Sequence, residues 1–557
     1  MSRTSPTPVA QERIPSWIKG MAILLLLLGS AGLFLTIWTP HPLLTEDSLP
    51  PPSSLSSAEA AAVHAINEAL HEVWEKEGIE PAPPAPSPLV LRRLGLALTG
   101  TIPSVEELRA LEQLPEDQQI DAWMNRLFQD PRSSHYLAER FARVFVGTEF
   151  GPFLVYRRRR MKTWLAEQFQ ANRPYHDLAR DLIQAEGIWT SNPETNFLTY
   201  TLTDGPGKKR PDEIKLASRT SRAFLGIRLD CMQCHDDKLH DTWKQTDFHH
   251  LAAFYGSTTI GASGIRDGDR DAYAYRLHGD MEAAPITAQV PYAPQLMPSE
   301  GALRQRLAAW TTHPENEAFA RTSVNRAWAL LFGKPLVEPI DDIPLQGPWP
   351  EPMTLLADTF TKQGGDLRSL LRIIAHTAAF QRHSRSADPS LPLTETQENT
   401  WAAFPLTPLR PEQVAQSVIQ VSSLRTIDPT THVIQRLRRF GSTNDFIKRF
   451  GDPGENEFEE RSSTIPQRLL LMNGELVREQ LEDNMLLNAP PRLHALTKDP
   501  TSIVQMAYLG VLSRMPTSPE LTHFQETLSA TKRKARLRAI EDLYWSLINS
   551  TEFSWNH

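Results

Sequence analysis

At 557 residues the chain is too long for one ordinary core, and its 40% hydrophobic and 22% charged residues describe a globular soluble body rather than a disordered or polytopic membrane chain. A net charge of -8, with acidic and basic residues interspersed, argues against a nucleic-acid surface. The first element along the chain is the uncharged run MAILLLLLGSAGLFLTIW from Met21 to Trp38, which as a helix spans about 27 Å, enough to cross a bilayer. Trp17 and Trp38 suit the two interfaces, and Lys19 reaches the headgroups. Arg3, Arg13 and Lys19 precede the run while Glu46 and Asp47 follow it, which places the N-terminus in the cytoplasm and exports the rest. A cleaved signal peptide is the competing reading, but the apolar stretch is long for one and no small-x-small site follows.

Pro40 to Ser54 is poor in helix formers and reads as a stiff spacer. Ser56 and Glu59 then form a capping box, and Val63, Ile66, Leu70 and Val73 follow at helical spacing until Gly78. A second box, Ser104 and Glu107, opens another helix after LVLRRLGLALTG. Helical periodicity continues through Gln118 to Phe128, His135 to Val146, Met161 to Gln170, Tyr175 to Gln184 and Ala217 to Ile227. Gly261 to Ser299 differs, with Gly, Asp and Pro at short intervals and only brief β-type runs such as AYAYRL and ITAQV, so a domain junction is placed there. From Leu303 the helical pattern resumes with LRQRLAAW and AFARTSVNRAWALLF. It breaks near Pro335 to Pro352 and again in the polar stretch Ser384 to Pro411. No fixed-period repeat indicates a solenoid.

The chain has two cysteines, and both fall in the pentapeptide Cys231-Met232-Gln233-Cys234-His235, which random placement rarely produces. Cys-x-x-Cys-His is the c-type haem attachment pattern, in which two thiols bond the macrocycle and the adjacent imidazole reaches iron. Export agrees with that chemistry, but an oxidising compartment equally allows a disulfide between Cys231 and Cys234. Zinc held by both thiolates with His235 and His240 is a further reading, as is a redox-active dithiol, although such dithiols usually open a helix after a strand.

The stretch FLGIRLDCMQCHDDKLHDTWKQTDFHHLAAFYG resembles the hallmark of the planctomycete-type cytochrome-like domain, domain of unknown function 1549. RRLGLALTGTIPSVEEL, LFQDPRSSHYLAERFARVF and RPYHDLARDLIQAEG are similar to other parts of that domain. Downstream, LAAWTTHPENEAFARTSVNRAWALLFGKPLVEPIDDI, LLRIIAHTAAFQRHS, LRPEQV, RSSTIPQRLLLMNGELV and LINSTEFSWNH resemble, in order, the landmarks of its usual partner, domain of unknown function 1553. The resemblance implies an exported protein of bacterial type and carries over only at Cys231, Cys234 and His235. Relatives usually continue the motif as His-Asp-His-Lys-aromatic-Asp-Pro; here Asp237 replaces the second histidine and a histidine appears at His240. Many relatives carry a further N-terminal cytochrome domain, which this chain lacks.

A bound haem takes a sixth ligand from His or Met, and His240, His249, His250, His278, Met281 and Met297 are the downstream candidates. His249 and His250 sit on a helix-like stretch, where a structural histidine is the commoner occurrence. The run Arg157 to Arg160 with Lys162 reads as solvated or paired with nearby acids. Asn325, Arg326, Asp341 and Asp342, and Arg461, Ser463, Thr464 and Gln467, read as buried ion pairs and caps. No nucleophile motif, zinc-hydrolase helix or phosphate loop identifies an enzyme. The expected fold is therefore mainly α: a cytoplasmic tail 1–20, a transmembrane helix 21–39, a spacer 40–57, a helical domain 58–260 with the motif, a connector 261–300 and a helical domain 301–557. The expected function is a membrane-anchored extracytoplasmic cytochrome with haem c on Cys231, Cys234 and His235, serving a redox partner protein. The alternatives are a cell-surface binding or scaffolding protein with a disulfide or metal clip, and an enzyme on an extracellular polymer.

Overall fold

The computed structural model describes residues 49–557 apart from 149–150, 153, 204–209, 239–241, 269–272, 389, 428–442, 444, 453, 455–457, 459–463 and 486. The expected membrane span Met21 to Trp38 lies outside them. Among the described residues no helix is long and apolar enough to cross a membrane. The described end of the spacer is docked on the body: Leu49 is buried in the core, and the Asn125 amide donates to the Pro51 carbonyl and the Ser53 hydroxyl, both at 2.8 Å.

The body is mainly helical. Helix α1 (Ser57–Glu77) starts at the expected box, where Ser56 Oγ accepts from the Glu59 amide at 3.2 Å and Glu59 Oε2 accepts from the Ser56 amide at 2.8 Å. It ends at Gly78 in the left-handed region. Its buried stripe is Ala62, Ile66, Leu70 and Trp74, whereas Val73, expected on that face, is 38% exposed. The larger indole takes the inward position, and its Nε1–H donates to the Thr400 carbonyl at 2.9 Å. Helices α2 (Ser87–Thr99), α3 (Val105–Glu112), α4 (Glu116–Gln129), α5 (Pro131–Val146), α6 (Arg158–Gln170) and α7 (Tyr175–Gln184) follow. The second expected box caps α3, with Ser104 and Glu107 bonded reciprocally at 2.8 and 3.0 Å.

Among the described residues, strand structure is confined to three antiparallel two-stranded pieces. One is the hairpin β1 (Thr258–Gly261) and β2 (Gly264–Asp267). In the next, β3 (Ala274–Tyr275) from the AYAYRL run pairs with β4 (Ala284–Pro285), and the Ile286 amide extends the ladder to the Tyr273 carbonyl at 2.7 Å. The expected ITAQV run, Ile286 to Val290, is not strand, which suits a segment flanked by Pro285 and Pro291.

Helices α10 (Leu303–Thr311), α11 (Glu317–Phe332), α12 (Glu351–Lys362) and α13 (Leu367–His376) pack with α1 to α7 around one continuous apolar core that includes Trp74, Trp123, Trp310 and Trp328. A second core gathers later helices, among them α14 (Pro411–Val421), α15 (Pro500–Leu512) and α16 (Lys534–Ile548). Helix α2 lies between the two, giving Leu91, Leu94 and Leu98 to the first and Leu96 to the second. Because α2 is covered on every side, Arg92 and Arg93 are fully buried, and main-chain carbonyls receive their protons. Arg92 donates to Val511 and Phe553, each at 3.0 Å. Arg93 donates to His557 at 2.8 Å, Phe380 at 2.6 Å and Arg382 at 2.8 Å, with its guanidinium 3.7 Å from the Phe404 ring centre. The final strand β6 (Trp555–Asn556) pairs with β5 (Thr407–Pro408), so the last residues close onto both cores.

Candidate functional site: the cysteine turn

Helix α8 (Glu213–Thr220) delivers the chain to the motif. Asp212 caps it by accepting from the Ile214 and Lys215 amides at 3.1 and 3.2 Å. The expected helix Ala217 to Ile227 does not run through as α-helix: its last turn, Ser221–Leu225, widens to a π-turn, a geometry common at functional sites. Gly226 ends that turn at φ 62°, with Thr322 Oγ1 where a Cβ would come within 2.6 Å, and its carbonyl accepts from the Ile343 amide at 2.7 Å. Gly226→Ala is therefore expected to cost about 1–3 kcal/mol of stability, measured by urea denaturation.

Residues Asp230–Gln233 form a single 3-10 turn, and the Cys234 amide donates back to the Cys231 carbonyl at 3.3 Å. Met232 points into the core while both cysteines are exposed free thiols. The turn is fixed through Gln233, whose carbonyl accepts two hydrogen bonds, from Gln245 Nε2 at 3.1 Å and His249 Nε2 at 3.0 Å. Both donors stand on helix α9 (Gln245–Ala252), whose first amide is in turn capped by Asp236 Oδ1 at 2.8 Å. His235 lies half-buried, its Nδ1 2.7 Å from the Asp236 carbonyl. A carbonyl only accepts, so in the neutral ring Nδ1 carries the proton and Nε2 the lone pair, the tautomer that a metal-binding imidazole needs.

The candidate distal ligands are placed unequally. His249 is fully buried and has both ring nitrogens engaged: Nε2–H on Gln233, and Nδ1 accepting from the Tyr273 hydroxyl at 2.8 Å, with the Tyr275 ring stacked 3.7 Å away. Burial holds its pKa below the usual histidine value, against the raising effect of the Gln233 bond, so the ring is neutral and holds the turn. His250 Nδ1 is tied to the Thr287 carbonyl at 2.6 Å, leaving Nε2 with its lone pair. Met281 is 93% exposed and carries no part of the core. His278 is exposed, and its amide donates at 2.7 Å to Gln245 Oε1, the same side chain that holds Gln233. Met297 packs against the first core, and His240 lies outside the described residues. Among the described residues no group of three or more His, Cys, Asp or Glu is arranged to hold a metal ion.

Periodicity and motif spacing gave no sign of Gln245 and His249 as the braces of the turn. Their signal is the i, i+4 spacing, which puts both on the same side of α9. A second feature that spacing hides is the role of Asp341. It is 6% exposed, and its two oxygens each accept at 2.7 Å, one from Arg222 Nε and one from Arg228 Nε. Burial alone would raise its pKa, but Arg222, Arg326 and Arg228 outweigh this and hold the carboxyl below its ordinary value. Arg326 donates to the Arg222 carbonyl at 2.8 Å. Asn325 exchanges two hydrogen bonds with Val337, at 2.8 and 3.0 Å, and burial raises the pKa of the neighbouring Asp342. Thr464 and Gln467 are a capping box, while Arg461 and Ser463 lie outside the described residues. In the basic run, Arg158 and Lys162 pair with Glu139, and Arg159 and Arg160 are exposed.

Fold and site together define a helical protein with a Cys-x-x-Cys-His turn that exposes both thiols. Two family models match it in succession: Protein of unknown function (DUF1549), named PSCyt2, over residues 65–259, and Protein of unknown function (DUF1553), named PSD1, over residues 303–528. The chain carries both domains in this order, as the resemblance implied. No curated protein and no solved structure is similar to it.

Proposed function

We propose that this chain is an extracytoplasmic protein of cytochrome c type, tethered by the Met21 to Trp38 segment, in which Cys231 and Cys234 attach haem and His235 Nε2 is the proximal ligand. Such a haem supplies one-electron transfer to a partner protein. The observation that carries the reading is the His235 tautomer, set by the Asp236 carbonyl beside two exposed free thiols on one short turn. Cys231 and Cys234 would hold the haem through two thioethers, and the His235 imidazole would bind its iron. Gln245 and His249 keep the turn from collapsing by holding the carbonyl between the two cysteines. The name of the first matching domain, PSCyt2, agrees with this reading.

The test is production of the full chain in a host competent for cytochrome c maturation, followed by a denaturing-gel haem stain and a pyridine haemochrome spectrum. The wild-type band is expected to stain, and the double variant Cys231→Ala/Cys234→Ala to lose the stain entirely. A colourless wild-type protein that carries a Cys231–Cys234 disulfide or stoichiometric zinc would overturn the haem reading in favour of a structural clip.

A further inference from the structure

The braces described so far, Gln245 and His249, hold the turn from its downstream side. Its upstream side is held from the second family domain. Arg222 and Arg228 flank the segment Ala223 to Ile227 that leads to Cys231, and Asp341, 119 and 113 positions away in sequence, accepts from both. Arg222 also reaches Asp230, the residue before Cys231, with Nη1 3.5 Å from Oδ2. The Ile343 amide on the Gly226 carbonyl, at 2.7 Å, adds a main-chain tie between the same two segments. The arrangement is bidentate in the sense that matters for geometry: one carboxylate, one arginine per oxygen, so that both arginines are fixed in direction as well as in place. Two arginines close together without that carboxylate would repel each other and draw the segment apart.

We propose that Asp341 is a positioning residue of the Cys231-x-x-Cys234-His235 turn, through which the second family domain sets how the first presents its two thiols. The consequence for thiol presentation stands on the geometry alone; the consequence for haem loading rests on the function proposed above. Closing a Cys231–Cys234 disulfide requires specific Cβ positions and a dihedral near a right angle. A turn clamped with its thiols free resists that movement, and an unclamped turn yields to it.

The experiment uses the full chain, haem-free, equilibrated in glutathione buffers, with the thiol–disulfide ratio of Cys231 and Cys234 read by alkylation and mass spectrometry. Asp341→Asn, which keeps the shape and removes the charge, is expected to shift the equilibrium about tenfold toward the disulfide, or about 30 mV in potential. Arg228→Met, at a half-exposed position that tolerates truncation, is expected to shift it the same way by about threefold, which keeps the test decisive if Asp341→Asn fails to fold. Arg93→Met is the control, because it loosens the body at the closure of the last residues and touches nothing at the turn. An equilibrium unchanged in both Asp341→Asn and Arg228→Met overturns the inference. So does an equal shift in Arg93→Met, which would mean general loosening. In a second arm, haem per polypeptide in the maturation host is expected to fall at least threefold in Asp341→Asn. A colourless wild type there sinks the haem reading alone, since the thiol equilibrium still reads the role of Asp341.

Discussion

Arg93→Met is expected to lower the unfolding free energy by about 4 kcal/mol, read as a drop in the urea midpoint at unchanged slope. The Arg93 guanidinium is fully buried, no Asp or Glu among the described residues pairs with it, and burial pushes its pKa down to about 9. What holds it are the carbonyls of His557, Phe380 and Arg382 and the face of Phe404. Methionine fills most of the volume but leaves three buried carbonyls without a donor, at about 1–3 kcal/mol each. Removing the desolvated charge gives part of that back, which is why the expected loss is below the sum. Arg93→Lys is expected to recover little, because one ammonium cannot reach three acceptors lying on different segments. A loss under about 1 kcal/mol in the methionine variant would mean that the carbonyls find water, and that the last residues are not held by this side chain.

The same arginine marks where sequence reasoning stops. In LVLRRLGLALTG nothing local says what the pair of arginines binds. Their acceptors sit on Val511, Phe553, His557, Phe380 and Arg382, hundreds of positions away, and no spacing rule reaches so far. Helix starts were legible because Ser56 with Glu59 and Ser104 with Glu107 solve a local problem, the unpaired first-turn amides, with local residues. The inward direction of a helix was less so: Val73 and Trp74 are adjacent, and only the Thr400 carbonyl decides for the indole. At the cysteine turn the attaching residues were legible by type and spacing. The braces were not, since His249 is a histidine like the proposed ligands until Gln233 and Tyr273 are seen to occupy both its nitrogens. Asp341 was visible as one of several acidic and basic residues in the second domain, but its partners belong to the first.

Glu139 is expected to give the folded body a steep acid limb. Its carboxyl is held down to about 2 from an ordinary 4.5: burial alone would raise it, but Lys162 and Arg158, which pair with it, and the charge of Arg140 outweigh burial. A carboxyl whose folded pKa is depressed contributes stability that is full above its unfolded pKa and is lost as the pH falls through the folded one. Glu139 therefore contributes about 3 kcal/mol at neutral pH, which disappears between about pH 4.5 and pH 2. Glu552, held still lower against its burial by Arg514 and His557, extends the same limb toward the acid end. Glu520, bonded to the same Arg514 and held at about 2, is only half-buried and adds less. In urea titrations at a series of pH values, Glu139→Gln is expected to be less stable than wild type by about 3 kcal/mol at pH 7 and to converge on it near pH 2. Lys162→Met should give a shallower version of the same limb, because Arg158 and Arg140 still favour the ionised carboxyl. A difference between wild type and Glu139→Gln that stays constant from pH 7 to pH 2 would show that the glutamate acts through packing rather than charge, and would remove the electrostatic account of how α5 and α6 are joined.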